Sequence, residues 1–239
     1  MAEGGKKLAA IRDQLVQFAK PGVTTLAIDA LADKLIKKAG GDASFQSVSG
    51  YHHATCININ DEVVHGMPGK YKIKSGDVVG IDVGLLWKGY HTDTSTTVIV
   101  NSNGEAEKFL AAGKKCLDNA IKQAKIGKRI ADISKEMQRV EEYGYSPVQA
   151  LTGHGIGRSL HEEPAVPCFV VGKYQDSPLI KEGMVMAIEI MYNAGRAEVV
   201  YKNNDGWTIA TADGKISGLF EETVAVTKAG PVILTRSLN

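Results

Sequence analysis

Two hydrophobic rhythms alternate along the chain. The first has the period of a helix. Between Lys6 and Ala19, apolar residues fall at Leu8, Ile11, Leu15 and Phe18, and Pro21-Gly22 then stops the pattern. Thr24 or Thr25 can cap a second helix with Leu26, Ile28, Leu31, Leu35 and Ile36 inward and Gly40-Gly41 at its end. A third stretch, Glu105 to Ala124, carries Phe109, Leu110, Cys116, Leu117 and Ile121. A fourth follows Gly127 with Ile130, Ile133, Met137 and Val140 inward and ends near Gly144.

The second rhythm has period two. VVGIDVGLLWKGYHTDTSTTVIV, from Val78 to Val100, predicts two strands joined by a turn around Trp87-Lys88-Gly89. Val79, Ile81, Val83 and Leu85 form the apolar face of the first strand; Gly80, Asp82 and Gly84 form the other. The odd separation of Asp82 and Asp93 across an even-length turn puts both on one side. In MVMAIEIMY, Met186, Ile188 and Ile190 share a face, and Val185, Ala187, Glu189 and Met191 share the opposite one. In GLFEETVAV, Phe220, Val224 and Val226 share a face, Glu222 has their parity, and Glu221 sits opposite with Thr223. Ser44 to His65 is less regular, with alternation confined to Thr55–Asn60.

Helix, helix and carboxylate hairpin are thus followed by helix, helix and more strands, an α+β order. KPGVTTLAIDAL faintly resembles KIGKRIADISKEM, which points to two similar halves. No Pro-, Gly- or Ser-rich linker divides them, so one domain over 1–239 is expected.

Composition narrows the function classes. A 44% apolar and 23% charged chain is an ordinary globular one, and a net charge of +1 offers nothing to nucleic acid or an anionic membrane. Three dispersed cysteines without a CxxC pair suit a reducing cytosol rather than a disulfide framework or a thiolate zinc site. Met1 to Lys7 carries no apolar signal core, and no apolar run reaches membrane-spanning length. A cytoplasmic protein is expected.

Two like charges side by side on a half-buried sheet repel unless a cation neutralises them. Glu189 and Glu221 lie on corresponding small-residue faces, and TGHGIGRSLHEEP sets His154 in a glycine-flanked turn with His161 beyond it. Taken singly, each feature has a bland reading. A strand carboxylate is usually solvated, GHGIG lacks the Lys-Ser/Thr of a phosphate loop, and Cys116 and Cys168 suit packing. His91 shares the face of Asp93 and is expected beside the ligands rather than among them, and adjacent His52 and His53 are assigned no chemistry. Taken together, Asp82, Asp93, His154, Glu189 and Glu221 make an oxygen-rich set that suits paired divalent ions. Metal-assisted hydrolysis follows, with Glu189 placed to shuttle a proton.

The landmarks KPGVTTLAIDALADKLIKKAG, NDEVVHGMPG, GDVVGIDVG, GYHTDTS, TGHGIGRSLHEEPAVP, EGMVMAIEI, NAG, DGWT and FEET, in that order, resemble the type I methionine aminopeptidases. The resemblance runs from about Glu3 to the C-terminus. It implies a pita-bread fold: a pseudo-two-fold antiparallel sheet with two helix pairs on one face and a dimetal site on the other. It implies Asp93 and Glu221 as bridging ligands, Asp82 as a chelating one, His154 as another, and Glu189 as both ligand and proton carrier. It implies that His65 and His161 contact substrate, His161 stabilising the oxyanion, and that Tyr51, Cys56 and Trp207 wall a methionine pocket. The implied cofactors are two divalent ions (cobalt, manganese, iron or zinc). The implied substrate is the N-terminus of a nascent protein or peptide with a small second residue, delivered at the ribosome to a monomer.

Three departures accompany the match. YHHATC is about three residues shorter than the family's segment, Met1 falls almost at the start of the first helix, and Glu222 replaces the family's usual His. The alternatives are a proline-specific peptidase of the same fold, which usually carries a further N-terminal domain, and a non-catalytic peptide-binding relative, which usually loses ligands.

Overall fold

The computed structural model describes residues 1–101 and 104–236; the expected 1–239 span extends beyond them at 102, 103 and 237–239. Helices α1 (Ala2–Phe18) and α2 (Thr25–Ala39) precede strands β1 (Asp42–Ala43), β2 (Thr55–Ile59), β3 (Glu62–Val64), β4 (Val78–Trp87) and β5 (Tyr90–Ile99). Helices α3 (Glu105–Ile121) and α4 (Ile130–Gln138) precede β6 (Ser146–Pro147), β7 (Thr152–Gly155), β8 (Glu162–Pro167), β9 (Val185–Asn193), β10 (Val199–Tyr201), β11 (Ile209–Thr211), β12 (Ser217–Thr227) and β13 (Gly230–Ile233). The main sheet runs β1-β4-β5-β12-β9-β7-β8, with β2 on β4, β6 on β9 and β13 on β12; β10, β11 and β3 form a smaller sheet.

Local chemistry fixes these elements. Thr24 caps α2, its hydroxyl accepting from the Ala27 amide at 3.1 Å, and Gly40 ends the helix in the left-handed region at φ 82°. The β4–β5 turn is two residues, Lys88 and Gly89, both with positive φ, the twist that two-residue hairpins need. Two expectations shift. Helix α1 begins at Ala2, ahead of the apolar pattern, with Gly4 packed against Trp87 and Gly5 so close to Leu234 that a side chain there has no room. Leu26, expected inward, is 45% exposed, since it precedes the apolar stripe led by Ile28.

The halves repeat down to individual hydrogen bonds. Gly22 N–H donates to Ile73 C=O as Gly127 N–H does to Ile180 C=O, and Gly76 N–H donates to Val100 C=O as Gly183 N–H does to Val226 C=O. In one half, α1 and α2 cover Val79, Ile81, Val83 and Leu85. In the other, α3 and α4 cover Met186, Ile188, Ile190, Phe220, Val224 and Val226. By strand parity both helix pairs lie on the same side of the sheet, which leaves the carboxylate side to other chemistry.

β5 and β12 join the halves, and threonines replace part of their ladder. The Thr97 hydroxyl donates to Leu219 C=O at 2.7 Å and accepts from Leu219 N–H at 2.9 Å. The Thr223 hydroxyl does the same to Asp93, at 2.7 and 2.9 Å. These hydroxyls hold the central strands apart while satisfying their backbone groups.

Candidate metal centre

Register assembles the carboxylates. Asp82 lies opposite Ser95, Ser95 opposite Glu221, and Glu221 opposite Glu189. A neighbouring row runs from Asp93 through Thr223 and Ala187 to His154. Ser95, Thr223 and Ala187 are small, so the charged side chains have room to converge above them. Ligand atoms of Asp93, His154 and Glu221 lie within 4.8 Å of one another. His154 sits on strand β7, not in the expected turn. The glycine beside it serves the close approach of strands, because a Cβ on Gly153 would lie 2.5 Å from Ala187 C=O.

The electrostatics describe a cluster of mutually repelling buried carboxyls. Burial, reinforced by Asp93 and Glu189, pushes the Asp82 carboxyl well above its usual range, and one Asp82 oxygen is buried with no partner among the described residues. Burial raises Asp93 to about 7; burial, then the Asp93 charge, raises Glu189 to about 8. Glu221 is raised by burial first and then by Asp93, Glu189 and Asp82. Burial lowers His154 to about 4, so its imidazole is neutral at pH 7. With Nδ1 donating to Gly155 C=O at 2.8 Å, Nε2 keeps a lone pair for a ligand. Hard oxygens, one neutral imidazole and an orphaned carboxylate oxygen fit a divalent cation.

A cavity of about 380 Å³ opens onto this cluster. Every nominated residue lines it: Asp82, Asp93, His154, Glu189 and Glu221, with His65, His161, Tyr51, Cys56 and Trp207. Tyr51 meets Trp207 edge to face at 5.0 Å and donates its hydroxyl to Thr55 C=O at 2.8 Å, with Cys56 Sγ at 3.2 Å. Trp207 is held by Asp205, which accepts from the amides of Trp207 and Thr208. His161 stands edge-on to His154 at 4.5 Å. His65 has φ 56°, a left-handed value rare outside glycine, and faces the cavity. The turn is kept by Gly66, whose amide donates to Asn58 Oδ1 at 2.8 Å. Burial lowers the His161 pKa; burial and then the neighbouring His161 lower that of His65.

Sequence reasoning missed the apolar lining from Phe45, Val48, Val64, Leu151, Leu160 and Met191. Met191 alone carried a signal, sharing the parity of Glu189. His91 Nδ1 lies 2.9 Å from Ser44 Oγ, and His53, assigned nothing, pairs with Asp29 at 2.9 Å. Cys168 and Cys116 are buried packing residues.

Residues 1–228 match the model of metallopeptidase family M24. The chain belongs to that family. Among M24 relatives, the methionine aminopeptidase of Clostridium perfringens is 42% identical over 98% of this chain and 94% of its own length. That of Aquifex aeolicus is 45% identical over 90% of this chain and 87% of its own. The crystal structure of methionine aminopeptidase from Thermotoga maritima superposes with a TM-score of 0.95 at 36% identity, covering 99% of this chain and 95% of that one. The pita-bread fold expected from sequence is thereby borne out. Prolidase from Pyrococcus furiosus shares the fold at a TM-score of 0.76 and 24% identity, this chain covering 64% of it.

Proposed function

We propose that this M24 metallopeptidase removes N-terminal methionine from peptides and nascent proteins whose second residue is small. The observation that carries the reading is the cavity itself, with a carboxylate–imidazole cluster at its floor and apolar, polarizable walls beside it. Tyr51, Cys56, Trp207 and the added Phe45 and Val64 suit an unbranched thioether. High identity to methionine aminopeptidases over nearly whole lengths supports the same substrate class, whereas the prolidases are considerably longer.

Asp82, Asp93, His154, Glu189 and Glu221 would hold two divalent ions in this reading, Asp93 and Glu221 as the ligands common to both. Such ions would supply an acidified water and the positive charge that the carboxylates need. The protein's own groups do the rest. Glu189, at the cavity beside the cluster, would accept the water proton and pass it to the leaving amine. His161, kept neutral, donates an N–H to the scissile carbonyl oxygen as charge builds on it. His65, presented by its left-handed turn, contacts the substrate backbone on the other side. The family's usual setting, a monomer in the cytoplasm meeting nascent chains at the ribosome, completes the proposal.

The test is release of methionine from a Met-Ala-Ser peptide by metal-stripped protein after adding back manganese, cobalt, iron or zinc singly. Turnover is expected to return with an ion and to be absent on the N-acetylated peptide. Unchanged turnover after exhaustive chelation would sink the reading.

A further inference from the structure

The carboxylate cluster faces the cavity, yet the residues next to two of its members are gripped from the opposite side of the sheet. Arg12, on the inner face of α1, reaches through to the seam between β5 and β12. Its Nη1 donates to Thr94 Oγ1 at 2.8 Å, to Thr235 C=O at 3.3 Å and to Glu222 Oε1 at 3.5 Å. Its side chain is only 12% exposed and that of Glu222 11%, so the ion pair is well shielded from water.

Thr94 is the junction. Its hydroxyl passes a hydrogen bond on to Glu221 C=O at 2.9 Å, and its amide donates to Asp93 Oδ1 at 2.9 Å. One residue therefore touches the carboxylate of Asp93 and the backbone of Glu221, the two residues proposed as shared ligands. Glu222 closes the circuit: its second oxygen accepts from Thr235 Oγ1, which in turn accepts from Thr223 N–H at 2.9 Å. Neighbours on a strand point to opposite faces, so Thr94 and Glu222 are anchored from the helix side while Asp93 and Glu221 are offered to the cavity.

We propose that Arg12, acting through Thr94 and Glu222, is a positioning residue that sets the spacing of Asp93 and Glu221 and thereby the metal affinity of the site. The inference rests on the ligand assignment proposed above. A guanidinium suits the task because its planar fork holds Nη1 at the seam while Nε and Nη2 donate to Asp13 Oδ1 at 3.3 and 3.2 Å. It is also consistent with Glu222 being retained in a buried position, where an unpaired carboxylate is costly.

Calorimetric titration of the metal-stripped protein with Mn²⁺, paired with the thermal midpoint of the metal-free form, tests this. Thr94→Val and Arg12→Met are expected to weaken Mn²⁺ binding by about tenfold or more, the range for partners that orient ligands. Thr94→Ser keeps the hydroxyl and is expected to bind as the parent does. The Arg12→Met/Thr94→Val double variant is expected to lose less affinity than the two single losses combined, because Arg12 acts in part through the Thr94 hydroxyl. At saturating Mn²⁺, KM for the peptide is expected to hold while kcat falls. A lower midpoint with Mn²⁺ affinity unchanged in either single variant would reduce the network to a structural role and overturn the proposal. Should Arg12→Met fail to fold, Arg12→Lys retains the charge without the fork, and unchanged affinity there overturns it equally. Glu221→Gln separates the two readings: if it leaves Mn²⁺ binding intact, the ligand assignment fails whatever Arg12 does.

Discussion

The two halves share a frame and differ at the positions that matter. The β4–β5 pairing sets Asp82 opposite Ser95, and the β9–β12 pairing sets Glu189 opposite Glu221, so Asp82 corresponds to Glu189 and Ser95 to Glu221. By the same registers Asp93 corresponds to Leu219 and Thr97 to Thr223. On the flanking strands, Asn58, opposite Gly80, corresponds to His154, opposite Ala187. One carboxylate pair thus respects the two-fold relation, and the other three candidate ligands break it. The repeat supplies register and a shielded floor. Asymmetric substitution on that floor turns two equivalent faces into one site with unequal ends, as directional chemistry on a peptide requires.

Exchanging the roles of corresponding residues tests this most sharply. Glu221→Ala is expected to remove at least one metal and abolish peptide turnover, whereas Ser95→Ala, which removes a buried hydroxyl with no partner among the described residues, keeps both metals and the fold. Metal analysis and turnover on the pair decide, and equal losses would mean that the asymmetry is not what selects ligands. Next in size is His161→Ala, which has no part in the ligand set. It is expected to lower kcat by ~10²-fold or more with metal content unchanged, and metal loss would move His161 into the ligand set.

A third test removes the ions that both halves share. Asp93 and Glu189 have folded pKa values near 7 and 8, above those of unfolded carboxyls, so the folded metal-free protein holds the extra protons. Its stability is therefore expected to be full below about pH 4 as far as these groups go, and to fall as pH rises through 7 and 8. Divalent metal should flatten that slope, with proton release on binding. Denaturant midpoints from pH 5 to 8.5 with and without Mn²⁺ give the answer; a metal-free protein that gains stability over that window would contradict the buried cluster. The smallest effect compares the seam threonines. Thr97→Val and Thr223→Val each orphan backbone groups and should cost ~1–3 kcal/mol. Only Thr223→Val, which releases the Asp93 backbone, should also weaken Mn²⁺ binding, as parallel titrations would show.

Much of this was legible in the chain because it rests on parity and punctuation. Alternation alone put Asp82, Asp93, Glu189 and Glu221 on small-residue faces, and Thr24, Gly40 and the Lys88-Gly89 turn announced element boundaries. The same parity set Glu222 apart from Glu221. Less was readable where partners are distant in sequence. His154 looked like a turn residue because a four-residue strand between glycines has no period to detect. The apolar cavity lining comes from Phe45, Leu151 and Leu160 in irregular segments, and Arg12 is one more polar residue on a helix until β5 and β12 meet behind it. Pairing between halves is a tertiary fact that local pattern does not encode.

The seam has a consequence for how the molecule comes into being. Asp82 and Asp93 belong to one hairpin and can be arranged locally, but Glu189, Glu221 and His154 join them only when β5 meets β12. That meeting spans a large sequence separation, and its loop-closure entropy is expected to make it a slow, late event of folding. An ion is therefore no nucleus for this chain. Uptake of metal during refolding should trail the closure of the seam, so that its kinetics report when the two halves have found each other.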